Sequence, residues 1–254
     1  MTGNQRGCLV CVCVAFLVAA SDASAQITDT DAQVEMSVDV SITHAILDNE
    51  GNMVLPAALP TNFTVTRARR SGGWQTTVTY RKHVGAPTRA AAHPLDGARV
   101  EFDEASGATR VYDSTGGLNS LLSSDSTGGP RVAGGPGQWL DGLIARADRR
   151  SARSRDLDNK YGKAVGRVGR LDRFLAHSDG ALHEVLADPA SALPVEINTV
   201  QDGVLESHVV LDYAKRPSGA WVRRSIRAEQ IVPGQPTHRS RLTVEFRNVT
   251  TGGR

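Results

Sequence analysis

From Val34 to Ile46 every second residue is apolar or histidine: Val34, Met36, Val38, Val40, Ile42, His44 and Ile46, with Glu35, Ser37, Asp39, Ser41 and Thr43 between them. Successive side chains of an extended chain point to opposite faces, so this pattern makes a β-strand with one apolar and one polar face. On a helix the same residues would spread around the axis. The alternation runs for 13 residues, where an ordinary strand has about 5 to 6. Such a strand needs partners on its edges and cover on its apolar face, which commits the chain to a sheet.

The rest of the chain supplies the partners. Phe63–Arg70 and Trp74–Lys82 read as a pair of strands joined through Ser71-Gly72-Gly73, with Trp74, Thr76, Val78 and Tyr80 on one face. Arg99–Phe102 and Arg110–Tyr112 read as a hairpin around Glu104-Ala105-Ser106-Gly107. From Leu171 onward the chain reads as a six-stranded meander. Its strands are Arg173–His177, Ala181–Leu186, Val195–Val200, Val204–Tyr213, Trp221–Ile231 and Arg241–Val249. Asp-Gly pairs at 179–180 and 202–203 mark tight hairpin turns.

Between the two halves the pattern breaks. Residues 113–137 hold three Gly-Gly pairs, five serines and two prolines, the composition of a flexible loop or hinge. The best helix follows at Gln138–Arg150, with Trp139, Leu140, Leu143, Ile144 and Ala147 on one stripe. Arg146 to Arg173 carry ten Lys or Arg against four Asp. That segment reads as a solvated connector, or as a contact for an anionic membrane surface. The net charge of +2 is too small to point to nucleic acid.

The N-terminus reads as an export signal. Arg6 precedes an unbroken apolar run from Cys8 to Ala20, and Ala23-Ser24-Ala25 is a small-x-small cleavage site. The run is about 13 residues, short of the roughly 20 that span a bilayer. Residues 1–25 are therefore expected to be a signal peptide and 26–254 a single antiparallel β domain, exported to the periplasm or beyond and soluble. All three cysteines (Cys8, Cys11, Cys13) fall within the signal, so the mature chain has no disulfide and depends on its core.

No catalytic constellation is apparent. The chain has no G-x-S-x-G elbow and no H-E-x-x-H. His177 and His183 flank a turn and could face each other across a hairpin beside Glu184, but spacing places no third metal ligand, and ordinary strand histidines are the expectation. His44 lies on the apolar face of the first strand, where a hydrogen-bonded core or pocket residue is expected. Asp156–Gly162 departs from a calcium loop, with Lys160 at the fifth position and Gly162 one place late. No metal and no cofactor are expected.

The last sixty residues carry a resemblance. Leu193-Pro194 leads into a strand, Asp202-Gly203 turns it, and Leu211-Asp212-Tyr213, Gly219-Ala220-Trp221-Val222 and Leu242–Val249 complete the block. This is similar to the C-terminal meander of the periplasmic lipoprotein-carrier (LolA-like) family, over about a quarter of the chain. The resemblance implies a half-open barrel whose apolar concave face shelters acyl chains, with a helix at its mouth. The chain departs from that family in starting its mature part with a strand and in the extra loop at 113–137.

The fold class expected is mainly β, a large antiparallel sheet curled into a half-open barrel with one or two helices. The function expected is binding of an apolar small molecule, a lipid or a lipoprotein acyl chain, in the cell envelope. The residues expected to line the site are Met36, Val38, Val40, Ile42, Trp74, Val78, Tyr80, Leu211, Tyr213, Leu242, Val244 and Phe246. Two alternatives stay open. One is a non-catalytic interaction or sensor domain whose barrel is filled by its own side chains. The other is a hydrolase whose site assembles only in three dimensions.

Overall fold

The structure, a computed structural model, describes residues 35–54, 61–71, 73–82, 96–124, 140, 142–232 and 234–252. The proposed signal peptide, residues 125–137 of the Gly/Ser segment and Trp139 lie outside them. The described residues form two compact units. The hairpin unit takes 35–42, 61–140 and 245–252; the meander unit takes 43–54 and 142–244.

The described strands are β1 (Met36–Leu47), β2 (Thr61–Arg70), β3 (Gly73–Tyr80), β4 (Arg99–Asp103), β5 (Thr109–Tyr112), β6 (Ile144–Ala145), β7 (Gly166–Val168), β8 (Leu171–Ser178), β9 (Ala181–Asp188), β10 (Leu193–Gln201), β11 (Val204–Lys215), β12 (Trp221–Val232) and β13 (Gln235–Thr251). They hydrogen-bond in the order β5-β4-β3-β2-β1-β13-β12-β11-β10-β9-β8-β7, with β6 beside β12. Among the described residues β5 and β7 stand at the two ends of this order. The mainly β class and the large antiparallel sheet are as the alternation predicts. Among the described residues one α-helix has its full range, α1 (Arg150–Tyr161).

In the hairpin unit β1 to β5 are consecutive antiparallel neighbours. The 113–137 segment, expected as a loose loop, folds back on β5 in its first part. Asp113 accepts hydrogen bonds from the Thr115 and Gly117 N–H groups at 2.8 and 2.9 Å. Thr109 and Ser124 exchange both backbone bonds at 2.8 Å. A carboxylate that satisfies successive backbone N–H groups makes a fixed turn out of a Gly-rich sequence.

In the meander unit the Asp-Gly pairs form two-residue turns, with φ of 52° and 79° at Asp179-Gly180 and 50° and 77° at Asp202-Gly203. Positive φ at both central residues matches the twist of the flanking strands. Ser178 then pairs with Ala181, and Gln201 with Val204.

Of the helix expected at 138–150, Leu140 is helical, residues 138, 139 and 141 lie outside the described residues, and 142–150 are corrected. Ile144 and Ala145 pair with Val222 and Trp221 as β6, Ala147–Arg149 make a 3-10 turn, and the α-helix begins where the expected one ends. Tertiary pairing outweighs the local apolar stripe here. α1 also replaces the expected connector, and it contacts β8. It buries Arg153, Leu157 and Tyr161, one turn apart on one face. Arg153 donates to the Ser191 carbonyl at 3.0 Å and the Arg146 carbonyl at 2.8 Å, so part of the basic run is built into the fold. No described helix is long and apolar enough to cross a membrane.

Candidate functional site

Residues opposite each other on paired strands share a face of the sheet, and the hairpin unit's registers stack three rows across its strands. The first is Val40, Phe63 and Tyr80. The second is five valines: Val38, Val65, Val78, Val100 and Val111. The third is Met36, Arg67, Thr76, Phe102 and Thr109. All three rows lie on one face, because their members alternate along each strand.

Seven of the twelve residues expected at a site belong to this face. Met36, Val38, Val40 and Val78 are buried, while Ile42, Trp74 and Tyr80 are half-buried. Phe63 and Tyr80 pack with ring centroids 5.3 Å apart and planes tilted by 43°, a separation at which aromatic pairs attract. Burial pushes the Tyr80 hydroxyl's pKa above its ordinary value, the mark of a low-dielectric surrounding.

The third row carries a polar cluster that the sequence reading missed. Arg67 is 4% exposed, and its guanidinium meets the Glu104 carboxylate at 2.5 Å. Thr76 Oγ1 donates to the same carboxylate at 2.7 Å. The Arg67 guanidinium carbon also lies 5.7 Å from the Trp74 ring centroid. The sheet's apolar face thus ends in a buried ion pair beside a half-buried tryptophan. Phe63, Val65, Val100 and Val111 were missed as well. Phe63-x-Val65 is a period-2 signal, but Arg67 and Arg69 continue it with charge and hide it.

The other expected residues lie elsewhere. Leu211, Leu242 and Val244 are buried in the meander unit, where Tyr213 is half-buried. Leu211 is opposite Ile226, and Tyr213 is opposite Arg223. Phe246 is half-buried on the part of β13 that belongs to the hairpin unit.

The two histidines of the β8–β9 hairpin are not brought together. His177 is opposite Leu182, and His183 is opposite Ala176, so the two do not face each other across the hairpin. His183 instead meets Ser178 Oγ at 2.9 Å and Thr199 Oγ1 at 3.3 Å. Glu184 accepts from Arg173 and from Asn198, at 2.6 and 3.0 Å. Among the described residues no group of three or more His, Cys, Asp or Glu is arranged to hold a metal ion. His44 does take a hydrogen-bonded place, with Nε2 2.8 Å from Ser240 Oγ, and burial lowers its pKa.

No family model matches the chain, and no curated protein matches it in sequence. Among solved structures, it is similar to a LolA superfamily protein from Nitrosomonas europaea, with a TM-score of 0.41, 10% identity and 92% of each chain covered. It is also similar to a protein domain from Vibrio parahaemolyticus named for outer membrane lipoprotein sorting. There the TM-score is 0.40 and the identity 11%, over 92% of this chain and 91% of the other. At such identities neither says what this chain binds.

Proposed function

We propose that the protein is exported by its N-terminal signal and binds an apolar ligand, with the acyl chain of a lipid or lipoprotein as the ligand class. The observation that carries this reading is the hairpin unit's apolar face, with its graded burial. Val38, Val40 and Val78 form a dry floor, and Ile42, Trp74 and Tyr80 stand half-exposed beside it. Trp and Tyr give broad contact with a polar tip, and Met36 adapts to variable shapes. Leu211, Tyr213, Leu242, Val244 and Phe246 belong to the same proposal as apolar contacts.

A second reading, an interaction domain whose face is filled by its own side chains, is favoured by the floor itself. Val65 is 0% and Val38 1% exposed, as in a packed core. Titration with a fluorescent fatty acid separates the two. On the carrier reading wild type binds, and Ile42→Glu and Trp74→Glu weaken binding with little change in melting temperature. If wild type binds no apolar probe, the carrier reading is lost and the filled domain stands.

A further inference from the structure

We infer that Arg223 is the anchor for the anionic group of an amphiphile, a carboxylate or phosphate carried on an apolar chain. The anion contact stands on Arg223 itself; only the apolar tail rests on the proposed function.

Arg223 turns inward because of a slip in register. Asp212 is opposite Ser225, but Tyr213 is opposite Arg223, which leaves Arg224 as an extra residue on β12. Such a bulge re-aims the side chains beside it. Arg224 is exposed, whereas Arg223 is buried to 7% exposure.

The buried guanidinium is poorly served by the protein. Its Nη2 reaches the Tyr213 hydroxyl at a long 3.4 Å, and its carbon lies 5.6 Å from the Tyr213 ring centroid. Its Nε is buried without a hydrogen-bond partner. Among the described residues no carboxylate forms an ion pair with it. Gly142 packs beside the guanidinium, where a Cβ would come into contact with it, 3.6 Å from Nη2 and 3.7 Å from Nη1. Arg67 and Arg153 each also bury one nitrogen without a hydrogen-bond partner, but Arg67 is paired with Glu104 and Arg153 donates to the Ser191 and Arg146 carbonyls.

An arginine stays charged even when buried, and its planar fork matches a carboxylate or phosphate with two parallel hydrogen bonds. A buried charge that lacks a partner is costly, so an anion that completes the pair would be held firmly. The surroundings select an amphiphile over a simple anion. Leu211 and Ile226, two pairs along from Tyr213 and Arg223 in the same two strands, are buried at 2% and 5% exposure. Half-buried Trp221 stands opposite Lys215, whose ammonium is 5.6 Å from the ring centroid.

The test compares cis-parinaric acid with its methyl ester, which share a tail and differ in charge. Wild type should bind the acid about 10-fold or more tightly than the ester, the value of a hydrogen bond to a charged group. Arg223→Met should bring the two affinities together, and Arg223→Lys should keep part of the preference. Without ligand, Arg223→Met should melt at the wild-type temperature or above it, because it removes an unpaired buried charge. Equal binding of acid and ester by wild type would overturn the anchor and leave the apolar-ligand reading intact. So would a large drop in the melting temperature of unliganded Arg223→Met, which would make the arginine structural. If wild type binds neither probe, the proposed function fails. A rise in melting temperature with inorganic phosphate, in wild type but not in Arg223→Met, would then assign a soluble anion and overturn the amphiphile.

Discussion

Val65 is the second member of the five-valine row counted from β1, with Val38 on one side, Val78 on the other and no exposure to water. Val65→Ala removes two carbon groups, worth about 0.8 kcal/mol each by transfer. The cavity left behind adds to this and brings the total to about 2 kcal/mol. For a chain of this size each kcal/mol moves the melting temperature by about 2–4 °C, so the variant should melt roughly 4–8 °C lower. Val65→Asp places a carboxylate at a position with no solvent exposure, and it should unfold the hairpin unit outright. Thermal scans followed by circular dichroism read the first effect. Hydrogen exchange across residues 61–124 reads the second and localises it. A shift under about 1 °C for Val65→Ala, or an unchanged melt for Val65→Asp, would refute the packing argument. The row would then be an open, hydrated surface, and the graded floor in the proposed function would not exist.

The buried imidazole of His44 is disfavoured as a cation and titrates below its ordinary 6.5. Between its folded pKa and 6.5 the unfolded chain binds a proton that the folded chain refuses, so stability is whole above this window and falls as pH drops through it. His44→Gln keeps a partner for Ser240 and removes the titration, so its melting temperature should change less than wild type's between about pH 7.5 and 5.5. Hydrogen bonds from Asn248, then Thr64 and Arg81, hold the Asp39 carboxyl below its ordinary 3.8. Its contribution is present above 3.8 and lost as pH falls through the lowered value, so Asp39→Asn should be less stable than wild type at neutral pH and converge with it in acid titrations. Gly203→Ala meets no atom within 4 Å at the new Cβ. Its cost is therefore that of the left-handed backbone alone, about 1–2 kcal/mol, and denaturant melts should show a smaller loss for Gly203→Asn.

Most strands were legible because alternation and turn residues agree. Asp179-Gly180 and Asp202-Gly203 fix where β8, β9, β10 and β11 begin and end, and the inward residues follow from parity. What was not legible depends on pairing with distant segments. Ile144 and Ala145 look helical beside Leu140 and Leu143, and only Trp221 and Val222 make them a strand. The true helix was hidden because Arg153 holds one of the three positions on its buried stripe, where an apolar residue would have announced it. β7 is three exposed residues starting at a glycine, with no pattern of its own.

The same distinction separates what the sequence shows of the site from what it conceals. Alternation tells which residues of one strand share a face, so Met36, Val38 and Val40, or Trp74, Val78 and Tyr80, could be grouped in advance. It does not tell which residue of one strand meets which of the next. Register alone joins Val38, Val65, Val78, Val100 and Val111 into one row, and a slip by one residue would have sent the β2 valine to the opposite face. The charged members are hidden for a stronger reason, since an arginine at an alternating position reads as exposed. Arg67 faces inward because Glu104, from the turn after β4, reaches it. Arg223 faces inward because β12 gains a residue against β11. Neither event leaves a mark in the local sequence, and among the described residues they set the two places where the sheet carries a buried arginine.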